Sequence, residues 1–315
     1  MVHMRKLIGT VALAALLTAC GGSETPVSDT TPTPTETPET PETPIETTTP
    51  AADPLEAAIT GSWRSEANQA RDIFRHPQET LEFLGVEPDD TIIEIWPGGG
   101  WYTEILAPFV KDEGKYIAAG VDTSSAFGQR AFEAFETNFL SRPDLFGEID
   151  FTVIGRGSEP MVETGTADAV LTFRNIHNWM AGGYTEHMFE TMYDALKPGG
   201  TLGVVEHRLG SSDTQDPRAS NGYVHEDYVK QVAEAAGFVF VESSEVNANP
   251  RDTKDHPGGV WNLPPNLRTT DANGDDIVDY DPTQFTSIGE SDRMTLKFIK
   301  PLEEPEAETE EETEE

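Results

Sequence analysis

The chain has 315 residues, with 57 acidic against 21 basic side chains and a formal net charge of −36 at pH 7. A chain this acidic is repelled by polyphosphate, so nucleic acid is excluded as an expected partner. The sequence contains one cysteine, Cys20, which excludes an internal disulfide. Any folded domain must therefore be stabilised by its core.

The first twenty residues have the pattern of an export signal. Arg5 and Lys6 precede the mostly apolar stretch Leu7–Leu17, which is too short for a transmembrane helix. The sequence Leu17-Thr18-Ala19-Cys20 resembles the lipobox of bacterial lipoproteins. This resemblance implies cleavage before Cys20 and acylation of its thiol. An ordinary secretory signal or a short membrane anchor are the alternatives.

Composition divides the rest of the chain into three parts. Residues 21–54 are rich in Thr, Pro and Glu, which predicts a disordered linker that tends toward polyproline II. Residues 55–301 suit one α/β domain, and residues 302–315 read as an acidic disordered tail. We expect the domain to lie in the cell envelope, lipid-anchored on the periplasmic side. Gly21, where inner-membrane lipoproteins favour aspartate, indicates the outer membrane rather than the inner one.

Strand-like and helix-like segments alternate through the domain, which predicts a mostly parallel sheet with helices on both faces. The predicted helices include Glu66–Phe74, Gln78–Leu84 and Asp227–Ala236. Seven strands are predicted: Thr91–Ile95, Lys115–Ala119, Phe151–Ile154, Ala169–Phe173, Thr201–Glu206, Val239–Ser243 and Met294–Ile299.

The most informative segment is a strand that runs into a glycine turn and then a helix. The turn reads Trp96-Pro97-Gly98-Gly99-Gly100, and glycines let a backbone approach a ligand closely. Dinucleotide-binding folds share this pattern, but a pyrophosphate site favours a neutral or positive loop. Glu94 precedes the turn, and the turn contains no Lys or Arg. The negative charge of the Glu94 carboxylate therefore opposes a phosphate group and suits an ammonium group.

An acidic residue follows the next predicted strand. Asp122 lies about twenty residues beyond the glycine turn, where a carboxylate can accept hydrogen bonds from both hydroxyls of a ribose. The alternative is that Asp122 caps a helix or closes a turn.

Together these segments resemble the class I S-adenosylmethionine (SAM) methyltransferases. Glu94 with Gly98, Gly99 and Gly100 resembles their motif I, and Asp122 resembles the ribose-binding acid after their second strand. The resemblance implies SAM as the cofactor, bound by these five residues.

The resemblance extends from about residue 57 to residue 301. Ala167–Phe173 resembles the fourth strand of the family, and Leu196–Gly200 resembles its turn into the fifth. The last two predicted strands would form its closing antiparallel hairpin. The implied fold is the Rossmann-like class I methyltransferase fold, α/β, with a seven-stranded mostly parallel sheet. Four further strings resemble those of an uncharacterised group of exported bacterial predicted methyltransferases: Arg75-His76-Pro77, Glu94–Thr103, Phe173–Met180 and Ser291–Phe298. This resemblance implies no particular substrate.

Trp96 departs from the family pattern, which has glycine at this position. Its indole either fills part of the cofactor cleft or packs behind the turn. Before the first strand, Arg71, Arg75 and His76 either belong to a lid over the cofactor or are surface charges of a helix.

Polar residues follow the fourth and fifth strands, where ligands bind in open α/β sheets. His177 or His207 would remove a proton from an acceptor hydroxyl or amine, and Asn175 would position that group. The alternative is that each histidine caps a helix or binds a loop carbonyl. The residues expected to contact the acceptor are Arg174, Asn178, Trp179 and Arg208.

No metal is expected. His177, Glu206 and His207 match no compact ligand motif in their spacing. Asp271–Asp279 resembles the front half of a calcium-binding loop, but Pro282 stands where the bidentate Glu belongs. An acidic surface insertion is the favoured interpretation of that segment.

The leading hypothesis is a SAM-dependent methyltransferase that acts on an O or N atom of a small or medium-sized acceptor. Its membrane contact would be the lipid anchor alone, and its oligomeric state stays open. SAM is made in the cytoplasm, so the alternative is an exported non-catalytic ligand-binding or scaffold protein that keeps the fold. A nicotinamide oxidoreductase is disfavoured by Glu94 and by the closing hairpin.

Overall fold

The computed structural model describes residues 53–302, in which strands and helices alternate in the predicted order. The predicted signal peptide with Cys20, nearly all of the predicted linker and residues 303–315 lie outside this range. Among the described helices, none combines the length and the apolar character needed to cross a bilayer.

Seven strands form one sheet in the order β3-β2-β1-β4-β5-β7-β6. Strands β1 to β5 run parallel, and β7 lies antiparallel between β5 and β6. This arrangement confirms the predicted Rossmann-like fold and all seven predicted strands. Their bounds are β1 Thr91–Ile95, β2 Lys115–Gly120, β3 Ile149–Val153, β4 Ala167–Phe173, β5 Leu196–His207, β6 Val239–Ser244 and β7 Arg293–Ile299.

The α-helices are α1 Pro54–Ile59, α2 Glu66–Gln69, α3 Asp72–Arg75, α4 Pro77–Leu84, α5 Thr103–Val110, α6 Ala126–Phe135, α7 Pro143–Phe146, α8 Ile176–Gly182, α9 Thr185–Ala195, α10 Glu226–Ala235 and α11 Pro282–Ile288. A π-helix, Glu136–Leu140, continues α6, and a 3₁₀-helix spans Gly259–Asn262.

The two faces of the sheet follow from the alternation of side chains along each strand. Ile93 and Ile95 of β1 pack with apolar residues of α8, α9 and α10. Ile92 packs on the opposite face with residues of α1, α4 and α5. Glu94 shares that second face, which directs its carboxyl group beneath α5.

One predicted helix, Glu66–Phe74, is divided into α2 and α3. The Asn68 carbonyl accepts a hydrogen bond from the indole Nε1 of Trp101, at 3.0 Å. In a continuous helix this oxygen would accept from the amide of Asp72. Instead it accepts from the amide of Arg71, at 3.1 Å, and from Trp101, and the helix ends here.

The carboxyl ends of the parallel strands are aligned. Ile95 of β1 is paired with Ala119 of β2 and with Thr172 of β4. The next residue, Trp96, donates its amide hydrogen to the Ala119 carbonyl at 2.8 Å. Likewise Arg174, after β4, donates to the Val205 carbonyl at 2.7 Å. The loops that follow these strands consequently meet at one edge of the sheet.

The last two strands pair as predicted, from Val239–Ile299 onward, but no tight hairpin joins them. Residues 245–292 connect them and contribute Trp261, Glu290 and Ser291 to the wall of a cavity at the strand ends. This connection therefore forms one side of the candidate site.

Candidate functional site

Two cavities adjoin at the carboxyl ends of the strands. The arginine cavity, of ≈ 330 Å³, lies between the glycine turn, β4, β5 and the 245–292 connection, and Arg71, Arg75 and Arg174 line it. The aspartate cavity, of ≈ 1170 Å³, extends from the same turn to Asp122 and the loop after β3. Four residues line both cavities: Trp96, Pro97, Gly98 and Asn175.

The glycine turn presents bare backbone to these cavities at two of its three glycines. Gly99 has no atom within 4 Å of where a Cβ would lie, and Gly98, at φ +59°, has only the Trp96 carbonyl oxygen at 3.9 Å. Gly100 differs, because its Cβ would lie 2.1 Å from the Phe139 ring. Gly100 lines neither cavity. Its small size is needed for packing, and its contact with a cofactor stays a prediction.

Glu94 is buried beneath the turn, with 2% of its surface exposed. Its Oε2 atom accepts hydrogen bonds from the hydroxyls of Tyr116, at 2.5 Å, and Thr103, at 3.0 Å. Burial, which these bonds offset only in part, raises the pKa of Glu94 to about 7. Glu94 lines the arginine cavity, and within residues 53–302 its Oε1 makes no hydrogen bond. That oxygen is available to a ligand donor such as an ammonium group.

Trp96 holds the turn against the core. Its indole Nε1 donates to the Ile154 carbonyl at 2.8 Å, and its ring packs edge-on against Trp179 at 6.0 Å between centroids. Of the two expectations for this indole, packing behind the turn agrees with these contacts, although part of the side chain also lines both cavities. Its φ of +48° is left-handed, where a side chain is strained.

Asp122 lies in the aspartate cavity, at the end of β2. Its carboxylate accepts hydrogen bonds from the Ser124 amide, at 2.8 Å, and from the Ser124 hydroxyl, at 2.7 Å. These two bonds lower the pKa of Asp122. Asp122 is thus a turn residue, as the alternative expected, and at the same time an ionised, exposed group facing a cavity.

His177 and Glu206 form a buried pair beside the arginine cavity. The His177 Nδ1 lies 3.0 Å from Oε1 of Glu206. The same carboxylate accepts the backbone N–H groups of Ile176, at 2.6 Å, and His207, at 2.9 Å. Since a carboxylate accepts, the Nδ1 of His177 carries the proton and its Nε2 is left as a base. His177 lines the cavity, so this pair has the form of an oriented general base.

His207 contacts the same space, and its ring centroid lies 5.4 Å from that of His177. Its Nδ1 is bonded to the Ser291 hydroxyl at 2.5 Å. Burial first, and then the charges of His177 and Arg174, hold the pKa of His207 well below its usual range. His207 is therefore neutral and suits a hydrogen-bonding role better than the uptake of a proton.

Asn175 stands at the junction of the two cavities. Its amide Nδ2 donates to the Ile95 carbonyl at 2.8 Å and to the Thr172 hydroxyl at 3.3 Å. The side chain is fixed by β1 and β4 and lines both cavities. This placement would allow it to position a group that spans both cavities, and that role stays a prediction.

An ion-pair cluster borders the arginine cavity. Glu290 accepts hydrogen bonds from Nε of Arg71, at 2.6 Å, and from Nε of Arg75, at 3.0 Å, and Arg293 lies at 3.3 Å. Burial raises the pKa of Glu290, but these guanidinium groups outweigh it and lower the value to about 2. Arg71 and Arg75 thus belong to the site, whereas His76 lines neither cavity.

Two of the four residues expected to contact the acceptor, Trp179 and Arg208, line neither cavity. Trp179 is fully buried in the core, because the first turn of α8 directs it toward Phe189. Arg208 lines neither cavity, since its guanidinium group is bound to Glu245 and Asp292 at 2.7–3.1 Å. Asn178 is exposed and lines only the aspartate cavity. Arg174 is the one that lines the arginine cavity.

The spacing of His177, Glu206 and His207 in the sequence predicts no metal site. The fold brings one ligand atom of each within 4.8 Å of the others, and all three are buried. However, both oxygens of Glu206 already accept hydrogen bonds, and arginines face the cavity. The arrangement fits a carboxylate that orients a histidine better than a metal centre.

Neither any family model nor any curated protein matches this sequence. Among solved structures, the [4+2]-cyclase SpnF aligns with a TM-score of 0.51 and 16% identity, over 78% of this chain and 86% of SpnF. A SAM-dependent methyltransferase from Aquifex aeolicus aligns at 0.44 and 20%, over 62% and 93%. A TehB-like SAM-dependent methyltransferase from Corynebacterium glutamicum aligns at 0.40 and 12%, over 70% and 85%. At these identities the similarity is one of fold.

Proposed function

We propose that this chain is a SAM-dependent methyltransferase acting on an O or N atom of a small or medium-sized acceptor. One observation carries the proposal: bare backbone at Gly98 and Gly99 lies between the carboxyl groups of Glu94 and Asp122, next to the His177–Glu206 pair. Structural neighbours that are SAM-dependent methyltransferases support the cofactor.

The residues present fit the parts of SAM. Asp122 would accept the ribose hydroxyls in the aspartate cavity, and Glu94 Oε1 would accept the ammonium group. The open backbone of Gly98 and Gly99 allows the cofactor to pass from one cavity to the other. SAM, when bound, supplies an electrophilic methyl group.

The chain's own residues would hold and deprotonate the acceptor. His177 Nε2 takes the proton of an acceptor hydroxyl or amine, and the carboxylate of Glu206 stabilises the resulting imidazolium. Asn175 and the neutral His207 hold that group by hydrogen bonds. Transfer to a nucleophile held in place depends mostly on its orientation, with assistance from the base.

The first test is calorimetric titration of the full chain with SAM and with its demethylated product, S-adenosylhomocysteine. We expect micromolar binding of at least one, which Asp122→Ala weakens about tenfold or more, because ribose hydroxyls lose their acceptor. Asp112→Ala, at an exposed aspartate outside both cavities, is the matched control. A folded chain that binds neither compound would exclude the enzyme and favour the exported, non-catalytic ligand-binding or scaffold protein.

We also propose that the chain is exported and anchored in the cell envelope through Cys20. The support is its signal-like start and its single cysteine. Labelling of expressing cells with radioactive palmitate should mark the wild-type chain and not the Cys20→Ser variant. Equal labelling of both, or a chain found only in the soluble cytoplasmic fraction, would contradict the anchor.

A further inference from the structure

The surroundings of the arginine cavity carry more positive than negative groups, although the chain as a whole has a net charge of −36. Glu290 and Glu94 are the carboxyl groups in its wall, and Glu94, with a pKa near 7, is only partly ionised at neutral pH. Four arginines face or border these groups: Arg71, Arg75, Arg174 and Arg293.

Two of these guanidinium groups have nitrogen atoms without a hydrogen-bonding partner. Arg75 is fully buried, its Nε is bound to Glu290 and its guanidinium group lies over the Trp101 ring, but within residues 53–302 its Nη1 and Nη2 atoms make no hydrogen bond. The Arg174 side chain lines the cavity and makes no hydrogen bond within residues 53–302. A buried guanidinium nitrogen without a hydrogen-bonding partner is costly, so the two free nitrogens of Arg75 and the half-buried Arg174 group are expected to serve a ligand of opposite charge.

The backbone at Arg174 supports the same interpretation. Its φ is +63°, a left-handed conformation that a side chain adopts only at a cost. The hydrogen bond that the Arg174 amide donates to the Val205 carbonyl holds this conformation at the end of β4. Arg174 therefore combines a strained backbone with a position in the cavity wall. Strained backbone of this kind is often found at binding sites.

SAM does not balance this charge. Its sulfonium and ammonium groups are positive and its carboxylate is negative, so the cofactor brings a net charge of about +1. An acceptor that is itself an anion is needed to offset the arginines.

We propose that the acceptor is a small aromatic carboxylate, whose carboxylate group is bound by Arg174 with Arg75 behind it. This inference rests on the proposed function for its methyl-transfer role. Aromatic residues form much of the cavity wall, among them Tyr102, Phe173 and Trp261. A flat apolar ring suits such walls, and the volume of ≈ 330 Å³ suits a small molecule.

The test uses 4-hydroxybenzoate as the anionic probe and 4-hydroxybenzamide as its neutral counterpart. Calorimetry of the full chain should show the carboxylate binding at least tenfold more tightly than the amide. Arg174→Gln should remove at least tenfold of that affinity, and Arg174→Lys, which keeps the charge, should retain part of it. Arg218→Gln, at an exposed arginine outside both cavities, should change nothing.

Three results would overturn the inference. The first is equal affinity for the carboxylate and the amide, or no binding of the carboxylate. The second is an Arg174→Gln variant that binds as the wild type does. The third concerns the other carboxylate that could reach this site, that of the cofactor. If Arg174→Gln weakens S-adenosylhomocysteine tenfold but leaves 5′-methylthioadenosine unchanged, the arginine binds the cofactor tail.

These results are separable from failure of the proposed function. Carboxylate binding by a chain that does not bind SAM or S-adenosylhomocysteine would leave the anion site intact and exclude the enzyme. Cofactor binding without carboxylate binding would support the proposed enzyme and exclude the anion site. Arg75→Gln is measured only if its circular dichroism spectrum matches that of the wild type, because Arg75 is fully buried.

Discussion

Glu94 is a single residue whose protonation couples the candidate site to the stability of the domain. Its pKa is about 7 in the folded chain, against 4.5 for an exposed glutamic acid. The folded state therefore binds a proton more tightly than the unfolded state does. The contribution of this proton binding to the free energy of unfolding is fully present below pH 4.5 and is lost as the pH rises through 7.

Glu94→Gln should remove this dependence, because the amide oxygen can still accept from Tyr116 and Thr103 without a buried charge. Relative to this variant, the wild-type chain should lose on the order of 3 kcal/mol of unfolding free energy between pH 4.5 and pH 8. Urea denaturation at several pH values measures the difference. Glu290→Gln is the control. Because the pKa of Glu290 lies near 2, its contribution to the free energy of unfolding is lost only in acid, and this variant should keep the wild-type pH dependence above pH 4.5. Parallel pH profiles for wild type and Glu94→Gln would contradict the prediction.

Trp96 combines backbone strain with favourable packing. Glycine in its place would relieve the left-handed φ, a gain of about 1–2 kcal/mol. It would also delete the bond to the Ile154 carbonyl and the contact with Trp179. We expect Trp96→Gly to lower the unfolding free energy by about 1–3 kcal/mol. Trp96→Phe, which keeps the ring, should lose less, and a Trp96→Gly variant more stable than the wild type would show that strain dominates.

The turn between β1 and α5 depends on its glycines in different ways. Ala at Gly100 would meet the Phe139 ring at 2.1 Å and would have φ +78°, so Gly100→Ala should cost about 2–4 kcal/mol. Gly99→Ala is the matched control, because its Cβ meets nothing within 4 Å. Its melting temperature should stay near that of the wild type while SAM binding weakens. Similar melting temperatures for the two variants would contradict the assignment of Gly100 to packing and of Gly99 to ligand binding.

The elements that could be predicted are those with a local signal. Thr91–Ile95 is an apolar strand bounded by a glycine turn, and its bounds agree with β1. Helix α2 ends where the Asn68 carbonyl bonds to Trp101, a contact between remote residues that periodicity does not encode. The connection between β6 and β7 is a second example. Its length can be counted in the sequence, but its place in the wall of the arginine cavity depends on contacts between remote residues.

The part of the candidate site that lies at the ends of strands could be predicted from the sequence. Glu94, Asp122, Asn175, His177, His207 and Arg174 all lie at or beside the carboxyl ends of strands and line a cavity. The orienting role of Glu206 was not predicted, because its contact with His177 joins the ends of two neighbouring strands. Glu290 had no usable signal, because it lies more than two hundred residues from its partner Arg71. Ser291 begins one of the strings that carry the resemblance, but its bond to His207, more than eighty residues away, was not predicted.

At the scale of the whole molecule, the charge of −36 acts on stability. Repulsion among like charges destabilises the compact state and is screened by salt, with a Debye length of about 10 Å at 0.1 M. Raising sodium chloride from 0.02 to 0.5 M should therefore raise the melting temperature of the full chain. Potassium chloride should act equally, which would identify screening rather than specific ion binding. A melting temperature that falls with salt would mean that internal ion pairs outweigh the repulsion.

Trp96, Pro97, Gly98 and Asn175 form a common wall between the arginine cavity and the aspartate cavity. A molecule in either cavity touches residues that a molecule in the other also touches. If a ligand in one cavity changes the affinity of the other cavity through these shared residues, the factor must be the same in both directions. The order in which the two ligands are added then affects rates of assembly but not the final occupancy.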